Sequence, residues 1–204
     1  EIRAGNYAKF RGRMMVDNLA GLDGLTAGVV GLGTIGLAVA HAYHQRGCSI
    51  LYFDPAPREK AAADAIGARA APLDELLRTS DVISLHVPLL PATRGMIGEA
   101  QLALMKPGAV LIQASRGGVV DEAALARSLA SGHLGGAAVD VYSQEPPVAA
   151  NPLLALQGDG AERLLFTPHV AGVTRQASAV LFQTAWDNVE AVLTKGAEPK
   201  NRVY

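Results

Sequence analysis

The chain has very little cysteine and no recognisable export signal. Its one cysteine among 204 residues, Cys48, excludes an internal disulfide framework. Cys48 begins an apolar run, so we expect it to be a small buried side chain rather than a nucleophile. Because no secretory signal is visible, a reducing cytoplasm is the expected location.

The chain also lacks an excess of charge of either sign. Its 18 Lys and Arg residues nearly balance its 19 Asp and Glu residues, which gives a net charge of −1. It has no basic stripe of the kind that binds nucleic acid and no charged run typical of a disordered tail. We expect neither nucleic acid nor a metal ion as a ligand.

One uncharged stretch, residues 24–45, is long enough to suggest a membrane span. Five glycines interrupt it, and its end is polar because of His41, His44 and Gln45. A buried strand followed by a buried helix explains this stretch better. We therefore expect no membrane partner.

Short apolar runs alternate with segments of helical spacing along most of the chain. Most of the apolar runs are hydrophobic on both faces, which is typical of a parallel sheet covered on both sides. We predict one α/β domain over residues 1–204, built on a doubly wound, mostly parallel sheet of about seven strands with helices on both faces. Residues 1–20 form an irregular or helical lead-in, and residues 174–204 form a C-terminal helix and tail. Strands are predicted at 26–30, 48–53, 68–71, 81–87, 109–113, 134–139 and 164–166, and helices at 34–46, 58–66, 73–79, 99–105, 121–131 and 174–195.

Three glycines follow the first predicted strand in the pattern G-x-G-x-x-G: Gly31, Gly33 and Gly36. In this position the first permits a tight turn, the second lets a pyrophosphate approach the backbone, and the third lets the next helix pack closely. The N–H groups at the start of that helix then face the phosphates. The alternative is a packing motif with no ligand.

The second predicted strand ends at Asp54. A carboxylate there can accept hydrogen bonds from both hydroxyls of an adenosine ribose, and it would repel a 2′-phosphate. The sequence therefore favours NAD over NADP as the cofactor. In the alternative interpretation Asp54 is an unrelated loop residue.

Five polar residues lie at, or just beyond, the ends of predicted strands: Asp54, His86, Arg116, Asp140 and His169. In a parallel sheet these ends fall on one edge, which is where doubly wound folds bind their ligands. Residues far apart in the sequence are therefore expected to converge on a bound dinucleotide.

The chain resembles the nucleotide-binding domain of the D-2-hydroxyacid dehydrogenase family, whose fold is of the Rossmann type. The resemblance rests on five motifs in the family's order, and together they span almost the whole chain. The motifs are residues 31–36 (GLGTIG), His86-Val87-Pro88 with Thr93, residues 115–122 (SRGGVVDE), Asp140-Val141-Tyr142 through Glu145-Pro146, and Thr167-Pro168-His169.

The resemblance implies a catalytic trio of Arg116, Glu145 and His169. His169 is expected to be the general acid/base, since imidazole exchanges a proton near neutral pH. Glu145 is expected to hydrogen-bond its other ring nitrogen and fix the tautomer. Arg116 is expected to hold the substrate carboxylate and polarise the carbonyl group. The substrate is a small 2-hydroxy or 2-keto acid.

The resemblance also implies a set of NAD-binding residues around the glycine turn and the strand ends. Asp140 is expected either to bind the nicotinamide carboxamide or to orient Arg116, and His86 to form a wall on the adenine side. The expected cofactor-binding residues are Gly31, Gly33, Thr34, Ile35, Gly36, Asp54, Val87, Pro88, Thr93, Ala114, Ser115, Arg116, Asp140, His169 and Gly172.

The chain departs from the family's pattern in two respects. Gln113 stands where the family usually has asparagine, so the loop before Arg116 is expected to sit differently. The roughly hundred residues that form most of the family's substrate domain are not in this chain, so it carries half of a cleft and is expected to turn over poorly alone. The resemblance also implies a homodimer formed through the nucleotide-binding domain.

Two other functions remain open at this point. One is a non-enzymatic, NAD-sensing interaction protein, since corepressors that resemble this family exist. The other is an oxidoreductase acting on an unusual substrate such as formate or phosphite. Glu145 argues against the formate branch, where glutamine is expected in that role, but it does not exclude phosphite oxidation.

Overall fold

The carboxyl ends of seven parallel strands form one edge of the molecule. The computed structural model describes residues 2–17, 21–56 and 60–200. The strands run in the order β3-β2-β1-β4-β5-β6-β7, and every neighbouring pair is parallel. Their bounds are β1 Thr26–Val30, β2 Ser49–Phe53, β3 Arg69–Ala70, β4 Val82–Leu85, β5 Val110–Gln113, β6 Gly136–Val139 and β7 Leu164–Phe166.

The direction in which the sheet grows changes between β1 and β4. The chain lays β2 and β3 on one side of β1 and then returns to the other side for β4 to β7. The loops after β1 and β4 therefore diverge, and they leave a crevice between them at the carboxyl edge. Doubly wound folds bind ligands at such a switch point.

Helices connect the strands and cover both faces of the sheet. Ala40, Ala63 and Ile66 pack with Val29 of β1 in one buried cluster. Leu76, Leu102 and Leu125 belong to a larger cluster on the other face. The helices are α1 Tyr7–Asp17, α2 Thr34–His44, α3 Lys60–Asp64, α4 Leu73–Thr79, α5 Glu99–Leu104, α6 Glu122–Ala130, α7 Gly158–Glu162 and α8 Arg175–Lys195.

The predicted fold class is confirmed, and all seven predicted strands are present. The one helix without a prediction is α7, whose segment contains Gly158 and Gly160 and so has a low helix propensity. The lead-in contains α1, and part of the predicted helix 58–66 lies outside the described residues. Cys48 is buried, as expected.

The long C-terminal helix α8 buries none of its side chains. Phe182, Trp186 and Leu193 are 67–79% exposed, although they belong to a broad apolar stripe. None of the helices in the described part of the chain combines the length and apolarity that crossing a membrane requires.

Candidate cofactor and catalytic site

The glycine turn between β1 and α2 leaves no room for larger side chains. Gly31 has a φ of +93°, and a Cβ atom on it would lie 2.7 Å from the backbone of His86. A Cβ atom on Gly36 would overlap the carbonyl oxygen of Gly31. The first turn of α2 can therefore lie directly on the end of β1.

The N-terminus of α2 faces this turn without a side-chain cap. Its N-cap residue is Gly33, which has no side chain to accept from the first N–H groups, and Thr34 and Ile35 at the helix start are exposed. Uncapped N–H groups at a helix N-terminus suit a phosphate or pyrophosphate. This arrangement fits the phosphate-binding role that the sequence predicts.

Asp54 connects the glycine turn to the end of β2. Its carboxylate accepts hydrogen bonds from the backbone N–H groups of Leu32, at 2.7 Å, and Ala56, at 2.9 Å. It faces an open cleft of about 350 Å³ whose other walls come from β2 and the end of β3. The cleft is lined by Tyr52, Phe53, Asp54, Ala56, Ala70, Ala71 and Pro72. An adenosine group fits this position beside the turn.

A second cleft, of about 220 Å³, lies on the other side of the glycine turn. It contains Arg116 together with predicted cofactor residues, and it provides a place for the other end of a dinucleotide. It is lined by Ile35, His86, Val87, Pro88, Ala114, Ser115 and Arg116. The two clefts and the turn between them fit NAD, and the contact of each lining residue with it stays a prediction.

His86 lies in the cleft with Arg116, on the β4 side of the glycine turn, and its role as an adenine-side wall stays a prediction. In the sheet order, β4 and β2 flank opposite sides of β1. His86 Nε2 lies 2.7 Å from Ser84 Oγ. Burial of the ring lowers the pKa of His86 and so favours the neutral imidazole.

Thr93 and Gly172, both predicted to bind the cofactor, differ in their surroundings. Thr93 is buried, and its hydroxyl donates to the carbonyl of Pro88 and accepts from the N–H of Leu90. This favours a role in shaping the turn after β4 over direct contact with a ligand. Gly172 lies exposed, next to the loop that carries His169.

Gln113 organises the loop that carries Arg116. Its buried side-chain carbonyl lies 2.7 Å from Ser115 Oγ and 3.3 Å from Ser115 N, and its amide donates to the carbonyl of Arg116 at 3.0 Å. The Arg116 guanidinium in turn donates to the carbonyl of Ser115. Both the carbonyl and the amide group of the Gln113 side chain thus form hydrogen bonds within this loop.

Glu145 and His169 form a hydrogen bond at the same edge of the sheet. Nδ1 of His169 lies 2.7 Å from Oε2 of Glu145, while Oε1 of Glu145 accepts from the N–H of Tyr142 at 3.0 Å. The hydrogen bonds from His169 and Tyr142 lower the pKa of Glu145, and the charges of His169 and Arg116 lower it further. The loop that carries Arg116 borders the same pair, because the position of a Cβ atom on Gly117 overlaps the carbonyl oxygen of Tyr142. Both partners of the hydrogen bond are accessible to solvent.

Asp140 fixes the loop that carries His169. Its carboxylate accepts hydrogen bonds from Thr167 Oγ1 and from the N–H groups of Val170 and Ala171, at 2.5–3.0 Å. Among the described residues, His169 is the only non-glycine residue with a positive φ, +56°. Such a conformation costs about 1–3 kcal/mol and needs support from its surroundings. Asp140 gives that support, whereas Gln113 and Ser115 orient Arg116.

Two polar side chains of the strands were not predicted to support the site, although the sequence carries a signal for both. Ser84 and Gln113 are polar residues within otherwise apolar strands, and both are buried. A buried polar group needs a partner, so such a position often lies beside a functional loop. Ser84 holds His86, and Gln113 holds the Arg116 loop.

Replacing Asp140 with asparagine is expected to destabilise the protein by about 1–3 kcal/mol at pH 7, because an amide NH₂ would then face N–H donors. Burial opposes ionisation of Asp140, but its hydrogen bonds outweigh burial and lower its pKa. Because the pKa of Asp140 is lower in the folded state, ionised Asp140 stabilises that state at pH values above the ordinary carboxyl pKa of about 4. This stability is lost as the pH falls through the folded-state pKa. The difference between wild type and D140N, measured by urea unfolding, should therefore shrink from pH 7 to pH 3.

Asp74, an exposed residue in the first turn of α4, provides the control for that experiment. Its asparagine variant should follow the wild-type pH dependence. Equal unfolding free energies for wild type and D140N at pH 7 would show that the Asp140 hydrogen bonds do not stabilise the loop.

A glycine turn, an acidic residue at the end of β2 and a cleft on each side of the turn define a Rossmann-type dinucleotide-binding domain. The family model for "D-isomer specific 2-hydroxyacid dehydrogenase, NAD binding domain" matches residues 1–171. The chain belongs to this family, as the motifs of the sequence indicated, and it is an NAD-binding domain.

Individual relatives agree with this assignment. The D-3-phosphoglycerate dehydrogenase of Archaeoglobus fulgidus is 44% identical over 156 residues, which cover 76% of this chain and 28% of that protein. The glycerate dehydrogenase of Methylorubrum extorquens is 38% identical over 203 residues, which cover 99% of this chain and 60% of that protein. The solved holo form of Rhodotorula graminis D-mandelate dehydrogenase matches with a TM-score of 0.84 and 30% identity, over 100% of this chain and 59% of that one.

The chain thus spans 28–60% of the length of these relatives. All three are named as dehydrogenases of 2-hydroxy acids (phosphoglycerate, glycerate and mandelate), so they give no support to the corepressor alternative or to a formate or phosphite oxidoreductase.

Proposed function

We propose that this chain is the NAD-binding and catalytic half of an oxidoreductase that transfers hydride between NAD(H) and a D-2-hydroxy acid or 2-keto acid. The observation that carries the proposal is the Glu145–His169 hydrogen bond next to the loop that carries Arg116, at the edge that also holds the glycine turn. The relatives' names support the substrate class.

Each member of the trio has a defined task in this proposal. When bound, NADH supplies the hydride that reduces the substrate's carbonyl carbon. His169 donates a proton from Nε2 to the carbonyl oxygen during reduction and accepts it during oxidation. Glu145 keeps Nδ1 protonated and the ring oriented, since an ionised carboxylate can only accept a hydrogen bond and the facing ring nitrogen must donate it. Arg116 binds the substrate carboxylate with its permanent charge.

We also propose that a substrate domain outside these 204 residues completes the cleft. The exposed apolar stripe of α8 supports this, since so large a hydrophobic surface is unusual on a separate domain. The Glu145–His169 pair is open to solvent, and a second domain would exclude water from it. The 204 residues alone are expected to bind NADH but to turn over little or no substrate.

The assembly and location of the protein belong to the same proposal. We propose a homodimer in the cytoplasm. Tyr7, Met15 and Val16 of α1 are 59–83% exposed and offer apolar surface to a second copy. The single cysteine suits a reducing compartment.

Calorimetry with NADH and NADPH tests the cofactor assignment directly on this chain. We expect NADH to bind and NADPH to bind about 10- to 100-fold more weakly, because the carboxylate of Asp54 repels a 2′-phosphate. The variant Asp54→Asn keeps an oxygen for the N–H of Leu32 and removes the charge. The difference between the NADH and NADPH affinities should therefore become smaller. Absence of NADH binding would overturn the cofactor assignment.

The second arm measures oxidation of NADH with glyoxylate, hydroxypyruvate and 3-phosphoglycerate. We expect little or no turnover by the 204 residues. Efficient turnover would instead refute the proposal that a substrate domain is missing.

A further inference from the structure

The loops that carry Arg116 and Glu145 are joined by the carboxylate of Glu122. Glu122 begins α6, directly after the loop that carries Arg116. Its Oε1 accepts from Ser143 N at 2.6 Å, and its Oε2 accepts from Ser143 Oγ at 2.7 Å and from Asn151 Nδ2 at 2.8 Å. We call these three residues, Glu122, Ser143 and Asn151, the Glu122 clasp.

The clasp is not needed to start α6. Asp121 is the N-cap residue of this helix, and its side chain accepts from the N–H groups of Ala123 and Ala124 at 2.9 and 3.0 Å. The carboxylate of Asp121 accepts from the first N–H groups of the helix, whereas the carboxylate of Glu122 accepts from donors in a neighbouring loop. The hydrogen bonds of Glu122 therefore act between segments rather than within α6.

The far end of the clasp is anchored in the core. Asn151 is 6% exposed, and its side-chain oxygen accepts from the N–H of Leu153 at 2.9 Å. Leu153 itself is 1% exposed. The bonds to Glu122 thus tie the loop after β6 to a buried point at its far end and to Ser143 near Glu145.

The two loops also touch immediately beside the clasp. A Cβ atom on Gly117 would overlap the carbonyl oxygen of Tyr142, so the residue after Arg116 lies directly on the residue before Ser143. The N–H of Tyr142 is the group that donates to Glu145. A shift of residues 142 and 143 would therefore move Glu145 as well.

We propose that Glu122 is a positioning residue, which fixes residues 142–145 so that Glu145 contacts both the N–H of Tyr142 and the ring of His169. Its importance for catalysis rests on the proposed function, but the contacts it controls do not. Without Glu122, three donors lose their acceptor, and the loop between Tyr142 and Asn151 is held at fewer points.

The titration of the Glu145 carboxyl group, followed by ¹³C NMR in the 204-residue chain, tests the proposal without any assay of activity. In Glu122→Ala we expect the midpoint to shift upward towards the ordinary range, because Glu145 loses its alignment with Tyr142 and His169. The direction of the shift distinguishes two causes. If Glu122 acted only as a nearby negative charge, its removal would shift the titration midpoint of Glu145 downward instead.

Two other variants complete the experiment. Glu99→Ala also removes an acidic residue from the first turn of a helix, along with its ion pair to Arg127, and it should leave the midpoint unchanged. Glu122→Gln keeps the side-chain length and one acceptor oxygen, so it should shift the midpoint less than alanine does, and it remains usable if the alanine variant does not fold.

An unchanged or lowered midpoint in folded Glu122 variants would overturn the positioning role. Failure of the chain to bind NADH would count against the proposed function instead and would leave this result intact. In the enzyme with its substrate domain, Glu122→Ala should lower kcat about 10- to 100-fold with little change in the KM for NADH, because small misplacements of catalytic groups have effects of this size.

Discussion

Replacement of His169 by alanine is expected to lower the rate of keto-acid reduction by about 10²- to 10⁴-fold, the usual contribution of a general acid. Without the imidazole, the carbonyl oxygen must take its proton from water while hydride arrives at the carbon. The rate is measured as NADH oxidation with glyoxylate, in the enzyme that contains the substrate domain.

NADH binding separates a chemical effect of this substitution from a structural one. The two clefts and the glycine turn are formed by segments other than the His169 loop. His169 is one of the predicted cofactor-binding residues, but most of those residues lie in the other segments, so calorimetry on the 204-residue chain should give similar NADH affinities for wild type and H169A. The matched control is His44→Ala, which removes an exposed histidine at the end of α2 and should leave both measurements unchanged.

If the rate of H169A stayed within about threefold of wild type, His169 could not be the general acid, because general acid catalysis contributes far more than threefold. If both the rate and the NADH affinity fell, the substitution would have disturbed the fold around Asp140. In that case the variant His169→Gln, which keeps a polar side chain of similar size, would replace H169A in the comparison.

The strands could be predicted from the sequence because burial on both faces requires continuous apolar runs. Their positions at the ends of predicted strands also place Asp54, Arg116 and His169 at one edge of the sheet. Neither inference needs the order of strands in the sheet. The cleft in which His86 lies does depend on that order, because His86 follows β4.

The supporting contacts were harder to predict because they join residues far apart in the sequence. Asp140 binds a loop about 30 residues away, and Glu122 binds donors 21 and 29 residues away. Both carry the same chemical group as Asp54 and Glu145, so residue type alone does not distinguish a ligand-binding carboxylate from one that holds a loop. Geometry makes that distinction, since Asp54 lines an open cleft, whereas Asp140 and Glu122 line neither of the two clefts.

Replacement of Gly36 by alanine is expected to abolish measurable NADH binding and to lower the free energy of unfolding by at least about 1–3 kcal/mol, the usual cost of an added atom in a packed site. The new Cβ atom would overlap the carbonyl oxygen of Gly31, so the backbone itself has to move. To relieve this overlap, the first turn of α2 must move away from β1. That movement displaces the uncapped N–H groups around Gly33 from the position where they can bind a pyrophosphate.

Gly12→Ala is the matched control, since Gly12 lies within α1 and has open space around the position of a Cβ atom. It should bind NADH like wild type, with unchanged or slightly higher stability, because alanine favours a helix over glycine by about 1 kcal/mol. Calorimetry and urea unfolding of the two variants give a direct comparison. Wild-type affinity in G36A would mean that the backbone of the turn is not the phosphate-binding element, and the assignment of NAD to the two clefts would fail with it.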